Sequence, residues 1–337
     1  MEPGRIKKLA LAIVFLVALD VLAFSLFHSR RAKRSTPLPD ICVSVVVPVY
    51  NSQGYIENAI SSLLNQTLKS MEFIFVDDRS PDNSSQIVER YAAVDDRFRL
   101  IRNERNMGAG LSRNAGIEAA RGEYVGFLDP DDWVSPEFYE VLYASATETA
   151  AGPYDIAKGQ LVRVKNGKLI PESNGWRKGA KGQEEKKKKK KVYEAFTWQH
   201  YTAIFRRSVL EAHPDARYGS VQFGEDAIFL AKVCYYSGNI TFTNDAKYYY
   251  LMRSGSLSTR SQYALLRDVH QHLKEIDEFF QAAQDEDALR FSRSRARGIL
   301  QRYLKKTSKP ADDKEAAIYK AAKDYLDSIS PPSAKKE

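Results

Sequence analysis

Apolar and polar positions alternate along this chain in two rhythms, one with a period of strands and one with a period of helices. Cys42 to Val49 is an almost uninterrupted β-branched run, which predicts a strand buried on both faces and halted at Pro48 by a turn of Asn51, Ser52 and Gly54. Ile56, Ala59, Ile60, Leu63 and Leu64 follow at helical spacing. The unit then repeats. Phe73 to Val76 predicts a second buried strand ending in Asp77 and Asp78, and Ile87, Val88 and Tyr91 mark a second helix capped by Ser84 or Ser85. Phe98 to Ile101 predicts a third strand, Leu111 to Ala120 a third helix stopped by Gly122, and Tyr124 to Leu128 a fourth strand. Alternation of this kind predicts an α/β domain whose mainly parallel sheet is wound by right-handed crossovers and flanked by helices. Ligands of such sheets sit beyond the carboxyl ends of the strands. This sequence puts Tyr50 and Asn51, Asp77 and Asp78, and Asp129 with Asp131 at three of those ends.

The second half is less regular. Asp155 to Val162 predicts one more strand, whereas Arg163 to Lys191 has no periodicity and ends in the lysine run Lys186 to Lys191, the pattern of a mobile surface loop. Thr202 to Leu210 reads as strand into helix. Phe223 to Leu230 sets Glu225 and Asp226 before Ile228, Phe229 and Val233 at helical spacing; the helix dipole alone favours acids there. From Gln262 onward the chain is charged and helical, with Leu265, Val269, Leu273, Ile276 and Phe280 as an apolar stripe that reads as core packing. Pro331, Pro332 and the basic end read as a frayed tail.

At the other end, Leu9 to Phe27 has Asp20 as its only charge and is long enough for a hydrocarbon core of roughly 30 Å. It predicts a single membrane-spanning anchor over 1–34, joined by a short linker, 35–41, to a body over 42–260 and a helical extension over 261–337. A cleaved signal peptide is the rival, but no A-x-A-like exit precedes the basic flank. Arg5, Lys7 and Lys8 precede the span and Arg30, Arg31, Lys33 and Arg34 follow it, a narrow preference for a cytoplasmic body over a type II arrangement facing the Golgi lumen.

The 337 residues carry a formal charge of +8, much of it in those flanks and the lysine run, which points to a membrane surface before nucleic acid. Two cysteines, Cys42 and Cys234, form no disulfide framework. His200, His213, His270 and His272 lack zinc spacing and read as ordinary residues. Gly108-Ala-Gly110 follows the third strand rather than the first and lacks the third glycine of a dinucleotide fingerprint, and there is no G-K-[ST] phosphate loop. The D-P-D-D segment, Asp129 to Asp132, reads either as a polar turn or as a site where crowded carboxylates are neutralised by a divalent cation carrying a phosphate.

Four segments stand in order: V-S-V-V-V-P-V-Y-N (Val43 to Asn51), F-V-D-D-R-S-P-D-N-S (Phe75 to Ser84), N-M-G-A-G-L-S-R-N-A-G-I (Asn106 to Ile117) and F-L-D-P-D-D-W (Phe127 to Trp133). With them the chain resembles the family 2 glycosyltransferases of the GT-A fold, over roughly residues 42–260. The resemblance implies an inverting hexosyl- or N-acetylhexosaminyltransferase that moves a sugar from a nucleotide-sugar donor, a UDP-sugar, to a glycan or lipid-linked acceptor. It implies that Pro48, Tyr50, Asn51 and Asp77 hold the nucleoside while Asp78 supports that loop. Asp129 would lie near the ribose and Asp131 would hold Mn2+ or Mg2+. Arg113 matches a position where the family often has arginine; a helix-surface salt bridge is its other reading. Asp226 matches the family's catalytic base in E-D-x-x-F, with Glu225 orienting the site. Three departures stand out: Arg79 replaces a frequent glycine, Pro130 fills the small-residue slot of D-x-D, and Leu251 displaces an arginine that reappears as Arg253. Diphosphate contact by Arg253 or Ser256 is the corresponding expectation. A sugar nucleotidyltransferase and a non-catalytic membrane-anchored scaffold of the same fold are the alternatives.

Overall fold

The computed structural model describes residues 41–150, 152–172, 199–253 and 261–330. The expected membrane span, nearly all of the linker, the lysine run, Ser256 and the tail from Pro331 lie outside them. Among the described residues no helix is long and apolar enough to cross a membrane.

The first half follows the expected alternation: β1 (Val43–Val49), α1 (Ile56–Leu64), β2 (Met71–Asp77), α2 (Ser84–Ala92), β3 (Phe98–Arg102), α3 (Ala109–Ala119) and β4 (Tyr124–Phe127). β1 and β2 are buried along their whole length, because β1 lies between β2 and β4 and both sheet faces are covered. Val45, Val47, Phe73 and Phe75 face the layer of α1 and α2, while Val46, Ile74 and Val76 face that of α3. Pro48 does not end β1: β4 pairs only as far as Val46, so the missing proline N–H falls where no β4 partner stands. α2 starts from Asn83, and no side-chain cap from either serine is formed.

Then come β5 (Trp133–Val134), α4 (Phe138–Thr147), β6 (Ile156–Lys165), β7 (Lys168–Pro171), a 3-10 turn at His200–Thr202, β8 (Ala203–Arg206), α5 (Arg207–Ala212), α6 (Glu225–Tyr236) and β9 (Ile240–Leu251). The sheet order is β3-β2-β1-β4-β8-β6-β9-β5, with β7 beside β6. This corrects the mainly parallel expectation, for the sheet is mixed. β8 is wedged antiparallel between β4 and β6, and β5 and β7 also oppose their neighbours. A buried run of apolar residues looks the same whichever way the strand points, so periodicity carried no direction. A second correction concerns Arg163 onward. β6 continues to Lys165 and turns through Asn166 and Gly167, both at positive φ (50° and 73°), into β7. Asn-Gly between paired strands is a two-residue hairpin turn, a local signal that lies within the stretch expected to be loop.

Three helices close the described chain: α7 (Gln262–Ala282), α8 (Glu286–Lys306) and α9 (Asp313–Ser328). Ser261, Asp285 and Asp312 cap them by accepting from the backbone N–H groups of Ala264, Ala288 and Glu315. The apolar stripe of α7 buries Leu266 rather than Leu265, and its remaining members pack as expected. Val269 and Leu273 meet Ile299 and Leu300 of α8, while Ile276 and Phe280 meet Ala227 and Ile228 of α6. The C-terminal helices are thus fastened to the helix that bears the second acid pair.

Candidate active site

The loops that leave β1, β2 and β4 open into a cleft of about 1020 Å³, whose other walls come from the start of α6, the end of β9 and α8. The turn after β1 is tight: Asn51 takes a left-handed φ of 49°, and the Ser52 backbone N–H donates to the Ser84 hydroxyl oxygen at 2.9 Å. Tyr50 is left 51% exposed beside Pro48 and Asn51, its ring free to stack on a planar ligand.

At the end of β2 the two aspartates have different surroundings. Asp77 accepts from the Ser80 N–H at 3.0 Å and does not line the cleft. Asp78 accepts from Asn103 Nδ2 and from the backbone N–H groups of Met107 and Gly108 at 2.7, 2.8 and 2.7 Å, which holds the entry of α3 against the β1 turn. Arg79 has φ 61°, so a large side chain adopts a left-handed backbone here, at a cost of roughly 1 kcal/mol. Its Nε donates to the Glu104 carbonyl at 2.9 Å.

α3 packs directly on β1. A Cβ on Gly116 would stand 2.2 Å from Val46 Cγ1. That close approach delivers Arg113, 4% exposed, to the floor of the cleft. Its two terminal nitrogens donate to Asp129 Oδ1 at 2.7 Å and Glu225 Oε1 at 2.9 Å. Burial works to lower the guanidinium's pKa, but the charges of Asp129 and Glu225 outweigh it and hold the group above its ordinary value. The helix-surface salt bridge is therefore excluded: Arg113 is a buried link between two acids far apart in sequence.

Each carboxylate after β4 has its own tether. Asp131 Oδ2 accepts from Arg253 Nε at 2.7 Å; burial and then the charge of Asp129 raise its pKa, against the pull of Arg253. Asp132 is fully buried and accepts from the Tyr248 hydroxyl at 2.9 Å and the Leu251 N–H at 2.8 Å. Burial and the two neighbouring aspartates push it well above its ordinary range. It pins the D-x-D loop to β9 and does not cap α4, which starts from Glu137. Tyr248 also accepts from the Asp129 N–H at 3.1 Å.

Gly224, with φ 87°, starts α6; a Cβ there would lie 2.3 Å from His272 Nδ1. The next two residues, Glu225 and Asp226, stand in its first turn. Burial, then the neighbouring Asp226, raises Glu225 to about 7 against the opposing Arg113. Burial raises Asp226 to about 6, although Arg113 and the Ala227 N–H pull the other way. Two carboxyls poised near neutrality at the mouth of a cleft suit proton transfer.

His200, which spacing alone left as ordinary, lines the same cleft. Its Nδ1 is 3.7 Å from Asp226 Oδ2, neither ring nitrogen has a hydrogen-bond partner, and burial followed by Arg113 pushes its pKa well below 6.5, so it is neutral. Tyr201 stacks on Tyr250 beside it at 6.2 Å. No sequence signal marked either residue, since both precede the acid pair by more than twenty positions and share no period with it. Of the expected site residues, Pro48, Tyr50, Asn51, Asp78, Arg113, Asp129, Asp131, Glu225 and Asp226 line one cleft, and Asp77 stands behind it. Arg253 also lines it, resting over the Tyr55 ring at 4.7 Å.

No group of three or more His, Cys, Asp or Glu side chains among the described residues is arranged to hold a metal ion by itself. The residues still suit a hard cation: Mg2+-type ions are bound by one or two carboxylates with phosphate oxygens of the substrate completing the shell. Asp131, at the cleft and tethered only by Arg253 among the described side chains, would supply such an oxygen.

The model of glycosyl transferase family 2 matches residues 44–213, half of the chain. "Uncharacterized glycosyltransferase EpsJ" of Bacillus subtilis is 31% identical over 228 residues, 68% of this chain and 66% of the relative. A Campylobacter jejuni relative, "GalNAc(5)-diNAcBac-PP-undecaprenol beta-1,3-glucosyltransferase", is 32% identical over 186 residues, 55% of this chain and 57% of that one. The chain thus spans less than two thirds of the length of these curated relatives. The crystal structure of S. aureus TarS 1-349 in complex with UDP-GlcNAc superposes with a TM-score of 0.65 at 24% identity, covering 86% of this chain and 82% of that one. The mixed sheet with its C-terminal helices is accordingly a GT-A-like fold, and with its family model matched across the strands that build the cleft, the chain belongs to glycosyl transferase family 2.

Proposed function

We propose that this chain transfers a sugar from a nucleotide-sugar donor, a UDP-sugar in the first instance, to a hydroxyl group of a glycan or lipid-linked acceptor, with inversion at the anomeric carbon. The observation that carries the reading is the Arg113 bridge. It joins Asp129, on the donor side, to Glu225, beside Asp226, so the donor acids and the base open into one space. The UDP-GlcNAc complex of TarS, a protein of the same fold, supports the donor class.

Tyr50 stacks on the nucleobase, Asn51 and Asp77 fix the nucleoside end of the cleft through the β1 and β2 turns, and Asp129 faces the ribose. Asp131 holds Mg2+ or Mn2+. That cation, when bound, neutralises the charge that develops on the departing diphosphate. Arg253, which lines the same cleft beside Asp131, carries a guanidinium suited to a phosphate oxygen of the donor. Asp226 accepts the proton of the acceptor hydroxyl as that oxygen attacks from the face opposite the diphosphate, which inverts the carbon. Glu225, held by Arg113, keeps Asp226 in place. Leu9 to Phe27 anchors the enzyme in a membrane as a single span, with the body on the cytoplasmic side.

A panel of nucleotide sugars, assayed for donor hydrolysis and for transfer to acceptor extracts with manganese or with a chelator, tests this. Metal-dependent turnover of one donor, abolished in a folded Asp226→Asn variant, is the expected result. Near-normal transfer by Asp226→Asn overturns the base assignment, and binding without turnover across the panel favours the scaffold. Protease access near Lys186 in sealed membranes tests the orientation.

A further inference from the structure

One wall of the cleft is foreign to the chemistry above. α8 contributes Ile299, Arg302, Tyr303 and Lys306, at spacings of three, four and seven residues, so a single helical face looks into the cleft. Ile299 is buried in the same apolar cluster as Val269, and Phe223, two residues before Glu225, packs against that cluster. The start of α6 and this face of α8 are therefore neighbours, and the α8 wall flanks the end of the cleft where Asp226 meets the acceptor.

Its charge is uncompensated. After Asp287, α8 carries no acid as far as Lys306. Arg293 is paired with Asp277, Arg290 with Asp287, and Arg297 donates to the Ile329 carbonyl, so those cations are spoken for within the fold. Among the described residues neither Arg302 nor Lys306 forms an ion pair; Arg302 Nε reaches only the Gly298 carbonyl one turn back, at 3.2 Å. Arg295, on the same side one turn earlier than Ile299, is held below the ordinary arginine value by burial and by Arg302 itself. Basic residues in a last helical turn are favoured by the dipole, which accounts for Lys305 and Lys306. The dipole does not account for Arg302, one turn earlier, which lines the cleft without an ion pair among the described residues.

We infer that Arg302 and Lys306 form an acceptor subsite for a phosphoryl group, so that the acceptor of the proposed transfer is a phosphate-bearing molecule. The inference rests on the proposed reading of the cleft for its acceptor side. Guanidinium and ammonium groups one turn apart offer a fork and a point charge to one set of phosphate oxygens, while Tyr303 between them presents a hydroxyl. The proposed reading places the donor's diphosphate at Asp131, so the α8 pair is assigned as a second anion site in the same cleft. A phosphate here is either the headgroup of a lipid-linked acceptor or a phosphate of a soluble or polymeric one.

The test uses the full chain in neutral detergent with saturating UDP and manganese, which fill the donor end. Decyl phosphate and decyl glucoside, and glycerol 3-phosphate and glycerol, are titrated as two matched pairs, with glucuronate as a carboxylate control. The expected result is at least tenfold tighter binding of a phosphate over its uncharged partner, lost in the exposed double substitution R302Q/K306Q while UDP affinity and melting temperature hold. Preference for decyl phosphate assigns a lipid headgroup, and preference for glycerol 3-phosphate a soluble or polymeric phosphate. Equal binding of charged and uncharged probes, an unaltered double variant, or glucuronate binding as tightly as the phosphates overturns the subsite. Failure of UDP itself to bind would instead strike the donor reading; the phosphate titrations then run in UDP-free protein against the same criteria.

Discussion

Replacing Arg113 by methionine removes the one cation between Asp129 and Glu225 while preserving most of the side chain's apolar volume. Two charged hydrogen bonds, at 2.7 and 2.9 Å, are lost from a group that is 4% exposed. Breaking a buried pair so that a charge is stranded costs about 3–5 kcal/mol, and that cost depends on pH. Glu225 titrates near 7 in the intact protein, above its unfolded value, so its contribution to stability is full at pH values below the unfolded pKa and is lost as pH rises through the folded one. Without Arg113 the folded value rises further. At pH 5 Glu225 is protonated with or without the arginine, and the variant loses chiefly the bond to Asp129, about 1–2 kcal/mol. At pH 8 the variant must also ionise a stranded Glu225 or keep it protonated, and each unit of further upward shift adds about 1.4 kcal/mol. Urea unfolding of both proteins at pH 5 and pH 8 is the assay. The difference between wild type and variant should widen by about 1 kcal/mol at the higher pH, because a group already titrating near 7 can add no more than about 1.4 kcal/mol by pH 8. A difference below 1 kcal/mol at both pH values, or one that narrows as pH rises, refutes the buried bridge.

Three further outcomes are expected. The pH profile of kcat/KM for transfer should fall on the acid side with a midpoint near 6, because Asp226 acts only as a carboxylate and its pKa is pushed up to about 6; a profile flat from pH 5 to 8 would sink its role as base. Tyr248→Phe removes the hydroxyl that donates to Asp132 and accepts from the Asp129 N–H, so it should destabilise the chain by about 2 kcal/mol in urea unfolding and weaken manganese-dependent UDP binding, whereas unchanged binding would detach the D-x-D loop from β9. Gly116→Ala sets a methyl group 2.2 Å from Val46 Cγ1 and should cost about 1–3 kcal/mol with a lowered melting temperature; a neutral result would mean that α3 shifts freely on β1, and with it Arg113.

The first four strands were legible because each is a local fact. A β-branched run such as Val43 to Val49 is buried on both faces wherever it lies in a parallel sheet, and the helix that follows declares itself within two turns. Direction was not legible. Ala203 to Arg206 is as apolar as its neighbours, and only the path of the chain decides that it enters the sheet antiparallel between β4 and β6. The hairpin at Asn166-Gly167 was available in two residues, but the lysine-rich composition after it obscured the signal. Arg79 shows the reverse: the left-handed backbone that makes a large side chain costly there is displayed by no sequence pattern.

The candidate site divides along the same line. The acids at 129, 131, 225 and 226 were each visible as charges where an apolar run ends, since a carboxylate at the edge of a buried element draws attention locally. What joins them was not visible, because partnership between residues 113, 129 and 225 is a property of the closed sheet. On a helix surface Arg113 would have bonded as an ordinary arginine; buried instead, it ties Asp129 after β4 to Glu225 at the start of α6. His200 was passed over for the same reason, its neutral ring gaining meaning only from the carboxylate 3.7 Å away. The electrostatics of the two ends are consequently linked. A charge change at Asp129, such as a cation arriving beside it, acts on Arg113, and Arg113 in turn sets how readily Glu225 and Asp226 give up their protons.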